Sequence, residues 1–249
     1  MSNTPPFARP QLPKRFYKSV TVAETPAGFA VMLDGRPVKT PAKKPLAVPA
    51  RALAEGMAAE WDGQGEHIDP GTMPTTRLVN TIIDGILSNP EPVRTEIARF
   101  AETDMLFYRA NAPEQLVERQ REGWDPVLAW AEERLAARFV LTEGVMHVSQ
   151  PETSQEAVRR HLASLPDGFT VGALHQITTL TGSTLLALAF AAGRLSAEET
   201  WALAHLDEDW NIEQWGADDE ALALREIRWR EMLAAALVLV SHPGLHRET

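Results

Sequence analysis

The chain has 249 residues, 44% of them hydrophobic and 23% charged, with 24 Lys and Arg against 34 Asp and Glu for a formal net charge of −10. That is a globular composition, long enough for one large domain or two moderate ones. The acidic balance argues against a nucleic-acid backbone as partner, because phosphates are neutralised by clustered Lys and Arg. The absence of cysteine removes disulfides, thiolate catalysis and Cys-ligated metals.

Residues 1–18 carry Arg9, Lys14, Arg15 and Lys18 and no acid, but Pro5, Pro6, Pro10 and Pro13 interrupt the amphipathic helix of an organelle-targeting segment. Residues 1–14 therefore read as a disordered basic tail, and the chain as bacterial and cytoplasmic. Over 16–48 the pattern is one of short strands and tight turns. In "GFAVMLDGRPVKT", Asp34 and Gly35 supply a hairpin turn between Val31, Leu33 and Val38, Thr40. "PARALAEGMAAEWDGQ" then takes helical spacing, with Leu53, Met57, Ala58 and Trp61 on one face. "DPGTMPTT" leads into a second helix with Leu78, Ile82, Ile83 and Ile86 as its apolar set.

After "SNPEP" at 88–92 helical signals dominate, which places a boundary near residue 90. The fold class expected is α+β: a small β-rich N-terminal domain over 15–90, then an all-helical domain resembling an orthogonal bundle over 91–249. Thr153 with Glu156, and Ser196 with Glu199, match capping-box spacing and predict two helix starts. Between them "VGALHQITTLTGSTLLALAFAAGRL" is apolar on most faces and predicts a buried helix or helix pair. Gly182 and Ser183 read as helix interior, and His175 as a hydrogen-bonded core residue. The most apolar run, 232–240, is shorter than the roughly 20 residues a spanning helix needs.

No phosphate-loop or dinucleotide glycine spacing occurs, and no histidine stands three residues after a Glu or four from another His around a Glu. What stands out is "DEDWNIEQWGADDE" at 207–220, with seven carboxylates, two tryptophans and no Lys, Arg or His. On a helix starting at Ser196, Trp201, His205, Glu208, Ile212 and Trp215 share a face. Three readings stay open: a solvated acidic face over core tryptophans, a carboxylate site for magnesium or calcium, or a docking patch of aromatics ringed by acids.

Several stretches together resemble one family, the assembly chaperones that handle the alpha subunit of the ATP synthase catalytic head in mitochondria and alpha-proteobacteria. They are "RFYK" at 15–18, "LDGRPVKTP" at 33–41, "AAEWDGQGEHIDPGTMPTTRLVNTIID" at 58–84, "ETDMLFYRA" at 102–110, "WDPVLAW" at 124–130, "TTLTGSTLLALAF" at 178–190 and "DEDWNIEQWGADDEA" at 207–221. Asn211 stands where the family pattern leads one to expect Gln.

The resemblance implies a two-domain, ATP-independent chaperone with no catalytic residues, cofactor, metal or membrane insertion. It would be a monomer when free, bacterial and cytoplasmic, or in the mitochondrial matrix if eukaryotic. It would bind the unassembled alpha subunit and cover surface that beta later occupies. Glu208, Glu213, Trp215, Asp218 and Glu220 are the partner-binding candidates. Trp61, Met73, Pro74, Thr76 and Arg77 are expected to fix the junction of helix, loop and next helix. Asp104 and Arg109 are either a buried pair or a surface contact. An acidic-patch adaptor and a carboxylate-metal hydrolase remain as alternative functions.

Overall fold

The computed structural model describes residues 12–144, 146–165 and 167–241; most of the expected basic tail, residues 1–11, lies outside that range. Strands β1 (Val20–Thr25) and β2 (Gly28–Leu33) form an antiparallel hairpin with Val22 opposite Val31. β2 also pairs with β3 (Arg36–Pro37) and β4 (Ala47–Val48). β4 passes so close to Gly28 that a Cβ there would lie 2.4 Å from the Val48 carbonyl oxygen. The turn into β3 is at Asp34 and Gly35, both at positive φ, as the pair predicts. The Asp34 carboxylate accepts from the Ser19 and Lys18 N–H groups at 2.9 and 3.1 Å, and these bonds hold its pKa below the usual range.

Helix α1 (Arg51–Asp62) packs on this sheet through Leu53, Ala54 and Met57. Its Glu60 carboxylate accepts from the Thr75 and Thr76 N–H groups at 2.7 and 2.8 Å and so caps α2 (Pro74–Thr81) across the loop. α2 runs into a π turn at Ile82–Ile86, closed by Leu87 N–H donating to the Ile82 carbonyl at 2.9 Å. Then follow α3 (Glu91–Phe100), β5 (Tyr108–Arg109), α4 (Glu114–Leu135), β6 (Thr142–Glu143) and α5 (Glu152–Ala163). The chain continues as α6 (Gly168–Thr181), α7 (Thr184–Ala191), α8 (Ala197–Ala204), α9 (Leu206–Trp215) and α10 (Asp219–Val240). The fold is α+β, a small sheet followed by helices.

α6 and α7 form the centre. Every residue of α7 is buried, and α6 packs against α3, α7 and α10. α2 lies against both α6 and α10, and Gly172 of α6 receives the π turn: a Cβ there would stand 2.5 Å from Ile82 Cγ1.

Five expectations are corrected. Gly182 and Ser183 are a break rather than helix interior: Gly182 at φ +69 ends α6, and Ser183 Oγ accepts from Leu186 N–H at 3.0 Å to start α7. Thr153 does not cap, because α5 already begins at Glu152 behind Pro151. A second, two-stranded parallel sheet, β5 with β6, lies beyond residue 92. His175 is only partly buried, its Nε2 3.1 Å from Glu96 Oε2. Asp104 and Arg109 do not pair with each other. Arg109 reaches Asp125 at 2.9 Å. Asp104 is fully buried and accepts from Leu106 and Leu185 N–H at 3.2 and 3.0 Å, joining the turn before β5 to the start of α7.

Burial pushes the Asp104 pKa up to about 6. A carboxyl raised in the fold stabilises it while protonated, so this contribution is complete below about pH 4 and lost as pH rises through about 6. The unfolding free energy of the wild type relative to Asp104→Asn should fall by roughly 3 kcal/mol from pH 4 to pH 7. Urea titrations at several pH values check it, and parallel curves refute it. Gly172→Ala, measured the same way, should destabilise by about 1–3 kcal/mol through overpacking on Ile82.

Candidate docking surface

The acidic stretch belongs to two helices rather than one. Ser196 and Glu199 form the predicted capping box at the start of α8, with Glu199 N–H donating to Ser196 Oγ at 3.1 Å and Ser196 N–H to Glu199 Oε2 at 2.7 Å. The chain then bends at His205, whose buried ring lies 4.0 Å from the Trp201 ring and whose Nδ1 is 2.8 Å from the Trp201 carbonyl. The expected common face of Trp201, His205, Glu208, Ile212 and Trp215 is broken there. Trp201 and His205 are core, while Trp215 is 87% exposed.

α9 ends at Gly216, at φ +86, and after Ala217 the Asp218 carboxylate accepts from Ala221 N–H at 2.9 Å to cap α10. Asp219 and Glu220 occupy the first turn of α10, where negative charge favours the helix N-terminus. The second half of α10 is anchored by Met232, Ala234, Ala235, Val238 and Leu239. Its first half stands out in solvent and exposes Leu222, Leu224 and Ile227. The result is a projecting corner, α9 running up to Trp215 and α10 returning from Asp218.

The cations missing from the sequence around these acids arrive from elsewhere. Arg119 of α4 grips Glu213 with two bonds of 2.8 Å, and its guanidinium lies 5.1 Å from the Trp210 ring centre. This pairing holds the Glu213 pKa below the usual range and raises that of Arg119. Gln120 donates to Asp207 at 2.7 Å, and Arg225 of α10 pairs with Asp209. Glu208 stays half-exposed, 3.9 Å from His205 Nε2, and burial lowers the pKa of that imidazole. Among the described residues no group of three His, Asp or Glu converges as a metal site.

Of the partner-binding candidates, Glu213, Trp215, Asp218 and Glu220 lie along the corner, and Glu208 lies nearer the base of α9. Trp215 and Glu220 point into solvent, Glu213 is held by Arg119 and Asp218 serves as a cap. Sequence reasoning missed Leu222, Leu224 and Ile227. Their signal was present: Leu222 and Leu224 point roughly 160° apart on a helix and cannot both face one core.

Four of the five junction candidates sit at the start of α2, and Trp61 lies near the end of α1 against Tyr17. Met73 and Thr76 are buried, Pro74 opens the helix and Arg77 pairs with Glu231 of α10 at 2.7 Å. The carbonyl of Trp61 accepts from the Tyr17 hydroxyl at 2.6 Å.

Comparison with known proteins assigns this architecture. The family model described as ATP12 chaperone protein matches residues 14–132. The mitochondrial atp12 protein of Schizosaccharomyces pombe is 25% identical over 246 residues, covering 94% of this chain and 84% of that protein. A crystal structure of the Atu1473 protein of Agrobacterium tumefaciens is 54% identical, with a TM-score of 0.87 and coverage of 92% and 86% of the two chains. That of Atp12 from Paracoccus denitrificans is 40% identical, with a TM-score of 0.83 and coverage of 92% and 97%. By class, then, these matches place the protein among chaperones. The chain belongs to the ATP12 chaperone family.

Glu213→Lys should lower the thermal midpoint by facing Arg119 with a second cation, and the swapped pair Arg119→Glu/Glu213→Lys should restore most of it. Differential scanning calorimetry decides. An unchanged midpoint in the single variant would show that the clasp does not hold α9.

Proposed function

We propose that this protein is an ATP-independent assembly chaperone for the soluble head of F-type ATP synthase, binding the unassembled alpha subunit on the α9–α10 corner. The observation that carries the reading is Trp215, 87% exposed at the end of α9, followed by the exposed Leu222, Leu224 and Ile227 on the first turns of α10, in a member of a chaperone family. Large apolar side chains left uncovered as a group mark an interaction site. An orphan subunit carries the complementary hazard, an apolar interface that aggregates until its partner covers it.

Glu208, Glu213, Trp215, Asp218 and Glu220 form or border the contact. Trp215 and the aliphatic side chains supply affinity, and the acids supply orientation and encounter rate. Micromolar binding, roughly −8 kcal/mol, competes with aggregation and still yields to a larger permanent interface. The site of action in a bacterial host is the cytoplasm, and the free protein is a monomer. No helix among the described residues is long and apolar enough to cross a membrane.

Purified chain should suppress aggregation of isolated alpha subunit at near-equal stoichiometry, without ATP and without protecting beta. Trp215→Ala should weaken alpha binding by about tenfold or more while leaving the thermal midpoint unchanged. Equal protection of alpha and beta would refute the dedicated role, and undiminished binding by Trp215→Ala would remove the corner from the contact.

A further inference from the structure

The sheet end of the molecule reverses the charge of the whole. Over residues 12–50 the chain carries Lys14, Arg15, Lys18, Arg36, Lys39, Lys43 and Lys44 against only Glu24 and Asp34, in a protein of net charge −10. On this basic unit lies a groove of about 640 Å³. It is formed where three separate stretches meet: "RFYK", "LDGRPVK" and the end of α1.

Its aromatic wall is a row of rings. Phe16 packs edge-on to Tyr17 at 5.4 Å, and Tyr17 to Trp61 at 5.7 Å. The row is fixed at its centre by the Tyr17 hydroxyl, which donates to the Trp61 carbonyl. Phe16, at its end, is 74% exposed. Pro37 adds a further rigid apolar surface on β3.

The rim is cationic and unspent. Arg36 and Lys39 line the groove and are exposed, and their side chains make no hydrogen bond or ion pair among the described residues. The acid of the lining, Asp34, is committed to the Ser19 and Lys18 N–H groups and the Ser19 hydroxyl. We propose that this groove is a second docking site, which takes an acidic segment of a partner protein carrying an aromatic side chain. The rings cover the anchor and Arg36 and Lys39 pair with its flanking carboxylates.

Charge selects this occupant. Residues 1–11 of the chain itself carry Arg9 and no acid, so they offer no carboxylate for this rim to pair with. A small ligand is enclosed by its site on most sides, whereas an aromatic side chain as open as Phe16 is covered by an extended partner. The site is chemically opposite to the α9–α10 corner, and it stands whether or not that corner receives the alpha subunit.

The test is fluorescence anisotropy of a labelled peptide of about twelve residues, one Trp flanked by Asp and Glu, titrated with the full chain at low salt. Saturable binding is expected, weakened about tenfold or more by Arg36→Glu/Lys39→Glu and by Phe16→Ala, and unaffected by Trp215→Ala. Replacing the peptide's Trp by Ala, or raising the salt, should weaken it as well. All the substituted positions are exposed, and an unchanged circular dichroism spectrum confirms folding. Equal binding of a peptide with Lys for every acid, full affinity in the double variant, or no binding overturns the proposal. Loss through Trp215→Ala alone would move the peptide to the corner and overturn it equally.

Discussion

Two central helices that are apolar on most faces impose the plan of the molecule. α7 is buried along its whole length and α6 meets water only around His175, Gln176 and Thr179, so other elements must enclose them: α3, the π turn, α4 and, along α6, the helix α10. A helix of 14 residues is about 21 Å long and one of 22 residues about 33 Å. α10 therefore outruns the helix it covers, and its first turns stand beyond the core. The exposed corner is the geometric remainder of a burial requirement.

Charge is organised around that remainder. Seven carboxylates in fourteen residues would repel one another on an isolated helix. In the fold, Arg119 and Arg225 reach in from α4 and α10, Gln120 binds Asp207, and Asp218, Asp219 and Glu220 sit where a helix start favours negative charge. Two consequences follow for the local geometry: α9 is fastened to α4, and the two arms of the corner are joined near their base.

What the sequence discloses and what it withholds divide by distance along the chain. The Asp34–Gly35 turn and the Ser196–Glu199 box are decided by neighbours, and both were readable. The Glu60 cap on α2 spans 15 residues, and the Arg119–Glu213 clasp spans 94. No local pattern announces either. The misread break at Gly182 has another cause: an apolar run that is buried on most faces keeps too little periodicity to show where one helix stops and another begins. Thr153 shows the converse, a correct spacing superseded because the helix takes Pro151 as its N-cap, two residues earlier. At the corner, Trp215 was singled out by its acidic setting, but Leu222, Leu224 and Ile227 were hidden in a helix whose other half is deeply buried.

That split within α10 separates two kinds of selection. Met232, Ala235 and Val238 answer to packing, where one methylene too many or too few is felt throughout the core. Leu222, Leu224 and Ile227 are about half exposed, so a change in their size or polarity is absorbed by solvent while the scaffold beneath stays as it is. One continuous helix thus houses a region free to co-evolve and a region obliged to stand still, with the changeover falling within a few turns of Arg225.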